Sequence, residues 1–343
     1  MIIYDGSVGT YVIDKSNFCT CPSFLFKGNC KHIEAVKNMK ISELSSFRKK
    51  YTSSIPTLNE KFDGYFYTND GIVGIVGKPD TGKSLFSIQE TYSFAKEVPC
   101  LFIDTEGGAL TMFERWDSVF RKRFSPKKEI YFEQKKSLYS LHEFLGFKTN
   151  VIFKATDKTG TKGKLEFRVI ESINKPEINA LIEKEGIKFV VIDSISSPIR
   201  QTFTDEQQNF PAKASAQALI FGKLLELQDK YGVGILVTLQ ASFNPADPYS
   251  TVDSISARGG IVVHHYTKRL FYMDRRDKKE YKDYRRLWFL RVENKPKLSD
   301  VVPLFIDDNG FHECNIEMRD LLTDAEYRII TGGGVVDDNG SIY

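Results

Sequence analysis

The chain alternates short, uniformly apolar runs with longer stretches whose apolar residues recur at helical spacing. Ile72-Val73-Gly74-Ile75-Val76, Cys100-Leu101-Phe102-Ile103, Phe189-Val190-Val191-Ile192 and Ile235-Leu236-Val237-Thr238-Leu239 are of the first kind. Such runs suit strands covered on both faces. Leu85–Glu90 and Ala214–Tyr231 are of the second kind, the latter with Leu219, Phe221, Leu224, Leu225 and Leu227 on its apolar side. The alternation predicts an α/β core with a central, mostly parallel sheet between helices. In such sheets ligands bind beyond the carboxyl ends of the strands. Polar residues gather there: Glu106 just after the second run, Asp193 at the end of the third and Gln240 at the end of the fourth.

Between the first run and its helix stands Gly77-Lys78-Pro79-Asp80-Thr81-Gly82-Lys83-Ser84, a complete G-x-x-x-x-G-K-[ST] phosphate loop. Gly77 and Gly82 permit the tight backbone, and the loop from Lys78 through Pro79, Asp80 and Thr81 wraps the phosphates. Lys83 is placed to pair with the β and γ phosphates of ATP, and the Ser84 hydroxyl to hold Mg²⁺. Asp193 suits the position that orients the Mg²⁺. Glu106 is placed to accept a proton from an attacking water, and Gln240 to hydrogen-bond the γ-phosphate or that water.

Length adds a second unit to this picture. At 343 residues the chain exceeds one average domain. Three of its five cysteines fall in the first thirty residues, an odd count that argues against a disulfide framework. Cys19, Cys21, Cys30 and His32 offer three thiolates and an imidazole, which suit a closed, tetrahedral Zn²⁺ site. Their pattern, C-x-C, a gap, then C-x-H, resembles the SWIM zinc module over about residues 8–38. A unit this small has almost no core, so zinc binding worth about 10–16 kcal/mol is the expected reason it folds.

The expected organisation is a zinc module over 1–40, a Ser-rich linker over 41–56, a core over 57–313 and an extension over 314–343. An inserted hairpin is expected at about 148–170, around Asp157-Lys158-Thr159-Gly160. A second, over 270–292, carries the charged stretch Asp274–Arg286, expected to be a solvated tip, with Tyr281 and Tyr284 among its charges. No apolar run approaches the roughly 20 residues of a membrane span, and the first residues lack a signal core. The expectation is a cytoplasmic protein without a membrane partner. Net charge is only +3, so any nucleic-acid contact must come from local clusters.

The phosphate loop, FIDTEG, VVIDS and LVTLQA occur in the order seen in the RecA/RadA recombinase superfamily, which the chain resembles over about residues 54–313. Gly259-Gly260, His265, Arg269-Leu270-Phe271 and the closing stretch 292–311 resemble its archaeal RadA branch. The resemblance implies a RecA-like NTPase that binds single-stranded DNA and hydrolyses ATP in a DNA-dependent way. Its role would lie in homologous recombination and repair, as recombinase or mediator, with self-association or pairing with a recombinase of the same family. Lys83, Glu106 and Gln240 would then be catalytic, and Ser84 and Asp193 would serve Mg²⁺. Two DNA loops are implied at about 200–213 and 242–260. Arg200, Lys213 and Arg258 are their basic residues, and Phe203, Phe210, Phe243 and Tyr249 their stacking surfaces. His265 would lie near the nucleotide of a neighbouring protomer. The zinc module replaces the helical N-terminal domain of RadA, and the linker has no F-x-x-A polymerisation motif. The alternatives are a nucleotide-switched protein-interaction module and a KaiC-like signalling ATPase.

Overall fold

The computed structural model describes residues 2–6, 9–13, 49–69, 71–153, 165–203, 210–242, 256–257, 261–275, 279–292, 300–314, 316–323, 326–327 and 330. It divides into two units, residues 1–49 and 50–343. In the first, β1 (Ile2–Gly6) and β2 (Gly9–Ile13) pair antiparallel, with Gly6 opposite Gly9 at the turn. The candidate zinc ligands Cys19, Cys21, Cys30 and His32 lie outside the described residues.

The second unit begins before the point expected from the sequence. β3 (Lys50–Tyr51) and β4 (Tyr67–Thr68) pair antiparallel on either side of α1 (Pro56–Glu60). Residues 50–56 therefore belong to the core and not to a linker. Their serines look like linker composition, but Ser53 and Ser54 serve the buried carboxylate of Glu90.

The chain then runs through β5 (Ile72–Gly77), α2 (Lys83–Phe94), β6 (Cys100–Asp104), α3 (Ala109–Phe124) and β7 (Ile130–Gln134). α4 (Leu138–Leu145), β8 (Phe147–Phe153), β9 (Leu165–Ser172) and α5 (Glu177–Glu185) follow. Next come β10 (Phe189–Asp193), α6 (Ser196–Thr202), α7 (Phe210–Tyr231), β11 (Gly234–Ser242), β12 (Ser256–Ala257) and α8 (Ile261–Tyr266). β13 (Thr267–Asp274), β14 (Tyr284–Val292), β15 (Val301–Asp307), β16 (Gly310–Glu313) and α9 (Met318–Leu321) close the described chain.

The main sheet has the order β16-β15-β14-β13-β5-β11-β10-β6-β7, with β12 on β11. From β7 to β13 every neighbour is parallel, and from β13 to β16 every neighbour is antiparallel. The inner parallel strands β5, β6 and β10 are buried along their whole length because both faces are covered. Val76, Ile103, Val190 and Ile192 join one core cluster, which includes residues of α4, α5 and α7. Val73, Ile75, Phe102 and Val191 join the other, with residues of α2 and α3. In the second cluster Phe94 stacks flat on Phe189, ring centroids 3.7 Å apart. Fully burying one such side chain is worth about 1.5–3 kcal/mol.

Where the pattern predicts an inserted hairpin, β8 and β9 pair antiparallel as a two-stranded sheet of their own. The 270–292 hairpin is β13 and β14, but its charges differ from the expectation at two positions. Asp274 and Arg286 face each other across the strands and are largely buried, with two hydrogen bonds at 2.8 and 2.6 Å. Arg286 also donates to Glu326 Oε2 at 2.9 Å and to the carbonyl of Leu321 at 3.1 Å. The described part of the 314–343 extension is thereby fastened to the sheet, with Leu321 and Leu322 buried.

Candidate nucleotide site

The β5–α2 loop is formed by close approaches that leave no room for side chains at its glycines. Gly77 lies in register with Gln240 of β11 on one side and Met273 of β13 on the other. A Cβ there would come within 2.6 Å of the Met273 carbonyl and 2.8 Å of Thr81 Oγ1. Gly82 has φ +98° and starts α2 with no side-chain cap, so the amides of the first turn face the loop. Thr81 Oγ1 and Lys83 Nζ both donate to the Lys78 carbonyl, at 3.0 and 2.7 Å. From β14, Arg285 Nε donates to the Thr81 carbonyl at 2.8 Å. Lys78, Pro79 and Asp80 are exposed. A pocket of about 290 Å³ is lined by Lys78–Thr81 together with Arg275, Arg286 and Glu326.

The carboxylates converge on this loop because the parallel strands end in register, with Asp193 directly beside Asp104. Asp193, only 3% exposed, accepts hydrogen bonds from the Thr238 hydroxyl and from Ser84. Burial pushes its pKa up to about 6, against the pull of those two hydroxyls and of Lys83. Burial also lowers the Lys83 pKa, a shift opposed by Asp193, Glu106 and Asp80. The Lys83 ammonium therefore sits in the field of three carboxylates.

Asp104 plays a part that the sequence reading missed. Its Oδ1 accepts from the backbone N–H of Glu106 (3.0 Å) and Gly107 (2.7 Å), and its Oδ2 from Ala109 (3.2 Å). It caps the turn into α3 and so sets the main chain of Glu106. An aspartate followed at once by Thr-Glu-Gly-Gly was the available signal, since Asp side chains bond their own backbone two residues on. Glu106 itself is exposed, and its Oε1 accepts from Ser194 Oγ at 2.6 Å. Ser194 and Arg285 also went unread as parts of the site.

The two segments expected to form DNA loops start side by side. Gln240 N donates to Ser196 Oγ at 3.1 Å, and Gln240 Oε1 accepts from Arg200 Nη1 at 2.8 Å. Arg200 is exposed. Phe203 is a correction: it is 1% exposed and belongs to the core cluster that includes Ile199 and Phe221, so its ring offers no free stacking face. An aromatic after a helical turn reads the same in sequence whether it points in or out. Phe210 is 54% exposed, with the Lys213 ammonium 5.7 Å from its ring. His265 is exposed on α8 and meets Tyr266 edge-on at 5.3 Å. Phe243, Tyr249 and Arg258 lie outside the described residues.

Among the described residues no cluster of three His, Cys, Asp or Glu could hold a metal, and no helix is long and apolar enough to cross a membrane.

Comparison with known proteins bears on both units. The family model for the SWIM zinc finger matches residues 10–41, a span that contains Cys19, Cys21, Cys30 and His32. No curated protein sequence matches the chain. Among solved structures, the crystal structure of the RadB recombinase matches with a TM-score of 0.50 at 15% sequence identity, over 76% of this chain and 98% of that one. That identity speaks to fold alone. The chain thus joins a segment matching the SWIM zinc finger to an α/β core with the RecA-like fold of the RadB recombinase.

Proposed function

We propose that the protein is an ATPase that binds single-stranded DNA and serves recombination and repair, as recombinase or mediator. One observation carries the reading: Lys83 and Ser84 of a complete phosphate loop stand in one electrostatic cluster with Asp193 and Glu106. The residues fit a polyphosphate and a hard divalent cation. The loop offers free helix-start amides and an ammonium, and Ser84 and Asp193 offer oxygen donors. A Mg²⁺ ion held there supplies charge neutralisation at the β and γ phosphates.

The chain's own residues do the rest. Lys83 binds the β and γ oxygens, the loop amides orient them, and Gln240 is placed near the terminal phosphate. Glu106 takes a proton from water as the water oxygen bonds to the γ-phosphorus and the bond to the β–γ bridging oxygen breaks, releasing ADP and phosphate. For DNA, Arg200 supplies charge and Phe210 an exposed ring; Phe203 is withdrawn from that role. Cys19, Cys21, Cys30 and His32 are proposed to bind one Zn²⁺.

The test is the ATP hydrolysis rate with and without a single-stranded oligonucleotide, together with oligonucleotide binding with and without a non-hydrolysable ATP analogue. Stimulated hydrolysis and nucleotide-dependent binding are expected. Hydrolysis indifferent to DNA, with no nucleotide-dependent binding, would overturn the DNA half and favour a nucleotide-switched interaction module.

A further inference from the structure

Glu106 stands two residues beyond the end of β6, and only its main chain is fixed by Asp104. A glutamate keeps three side-chain torsions, so capping the backbone does not aim the carboxylate. The group that aims it comes from the neighbouring strand. Ser194, 1% exposed, follows β10 directly and donates from Oγ to Glu106 Oε1 at 2.6 Å. The same Oγ accepts from the Ser197 N–H at 3.3 Å. That bond occupies an oxygen lone pair and leaves the hydroxyl proton for the carboxylate, which can only accept.

Ser194 is itself held at both ends. Thr105 Oγ1 accepts from Ser194 N at 2.8 Å and donates to the Ser194 carbonyl at 2.5 Å. Thr105 N donates to the Asp193 carbonyl at 2.9 Å. Thr105 is fully buried, so the tips of β6 and β10 are bolted together immediately before Glu106. Buried, doubly held hydroxyls of this kind preorganise a reacting group at no cost during the reaction.

We propose that Ser194, locked by Thr105, is the positioning residue for the Glu106 carboxylate, holding Oε1 so that Oε2 receives the proton of the attacking water. This rests on the reading of Glu106 as the base. Ser194 touches neither nucleotide nor water in this scheme; it acts through Glu106 alone.

The experiment is a double-mutant cycle on full-length protein. ATP turnover is measured for S194A, E106Q and S194A/E106Q, with the affinity of each for a fluorescent ADP analogue. S194A is expected to lower kcat about ten- to a hundredfold with ADP-analogue affinity unchanged. The double variant is expected to be no slower than E106Q. Parental kcat in S194A, or losses that multiply in the double variant, would overturn the proposal. Parental turnover in E106Q would instead remove Glu106 as the base, a result distinct from the failure of Ser194. Should S194A show no cooperative melting transition, S194C, which keeps the shape and weakens the donor, is measured with the same expectations.

Discussion

The Arg285 guanidinium donates from Nε to the carbonyl oxygen of Thr81 at 2.8 Å, joining the second strand of the β13–β14 hairpin to the phosphate loop. Its Nη1 donates to the carbonyls of Lys282 and Tyr284 at 2.7 and 2.9 Å. The side chain is 8% exposed, so nothing replaces these bonds when it is cut back. A hydrogen bond to a charged donor is worth about 1.5–3 kcal/mol. Arg285→Ala should therefore weaken nucleotide binding about ten- to a hundredfold, measured by titration with a fluorescent ADP analogue. An unchanged affinity would show that the loop holds its shape without the brace.

Lys83→Ala should abolish nucleotide binding or hydrolysis, because it removes the ammonium that lies in the field of Asp193, Glu106 and Asp80. Glu106→Gln should retain binding and lose about 10²–10⁴ in turnover, the usual size of a lost general base. The two variants together separate binding from chemistry. Equilibrium binding and steady-state hydrolysis read them out, and parental turnover in Glu106→Gln would refute the assignment of the base.

The zinc proposal predicts one Zn²⁺ per chain in protein purified without chelator, assayed by elemental analysis. Cys30→Ser should lose tight zinc. Because residues 1–49 and 50–343 form separate units, stripping the metal should leave the melting transition of the α/β core in place. Full, tight zinc in Cys30→Ser would remove that cysteine from the ligand set.

Glu90 gives the core a pH dependence of known direction. It lies fully buried on α2, where its Oε1 accepts from Ser53 Oγ at 3.1 Å and from Ser54 N at 2.9 Å. Burial outweighs those donors and raises its pKa above the ordinary 4.5. The folded chain then keeps the Glu90 proton at pH values where the unfolded chain has released it. Its contribution to stability is complete below 4.5 and is lost as pH rises through the folded value. Glu90→Gln, which retains an acceptor, should narrow the difference in melting temperature between pH 5 and pH 7.5. Glu90→Ala should cost about 1–3 kcal/mol, since it leaves the buried Ser53 donor and the half-buried Ser54 donors unpaired. An unaltered pH profile in Glu90→Gln would show that Glu90 does not titrate in this range.

The parallel strands were legible because burial on both faces writes itself as an unbroken apolar run, as in Val190–Ile192. β7 was not, because Ile130–Gln134 is an edge strand, half-exposed and mixed in polarity. The phosphate loop was legible as a local motif, and so were the positions of Glu106 and Asp193 at the ends of β6 and β10, whereas β11 runs on past Gln240 to Ser242. Arg285 could not be read: its role depends on antiparallel register bringing it to a loop about 200 residues away. Ser53, Ser54 and Phe203 misled for one shared reason. Hydroxyls that serve a buried carboxylate and a ring that turns inward carry no mark in a single sequence, because their partners are distant. Asp274 and Arg286 looked like surface charges for the same cause.

The linked trio of Asp274, Arg286 and Glu326, with Arg286 buried between the two carboxylates, bears on what a protease would find. The residues after β16 look like a trailing end, yet Glu326 neutralises a cation inside the sheet's flank and Leu321 and Leu322 fill apolar space beside it. A single cut near Glu317 should give two peptides that remain together through gel filtration and part only on denaturation. Genetic loss of everything beyond Glu313 is a different injury: it leaves Arg286 one carboxylate short from the moment the chain is made, so low yield should precede any loss of activity.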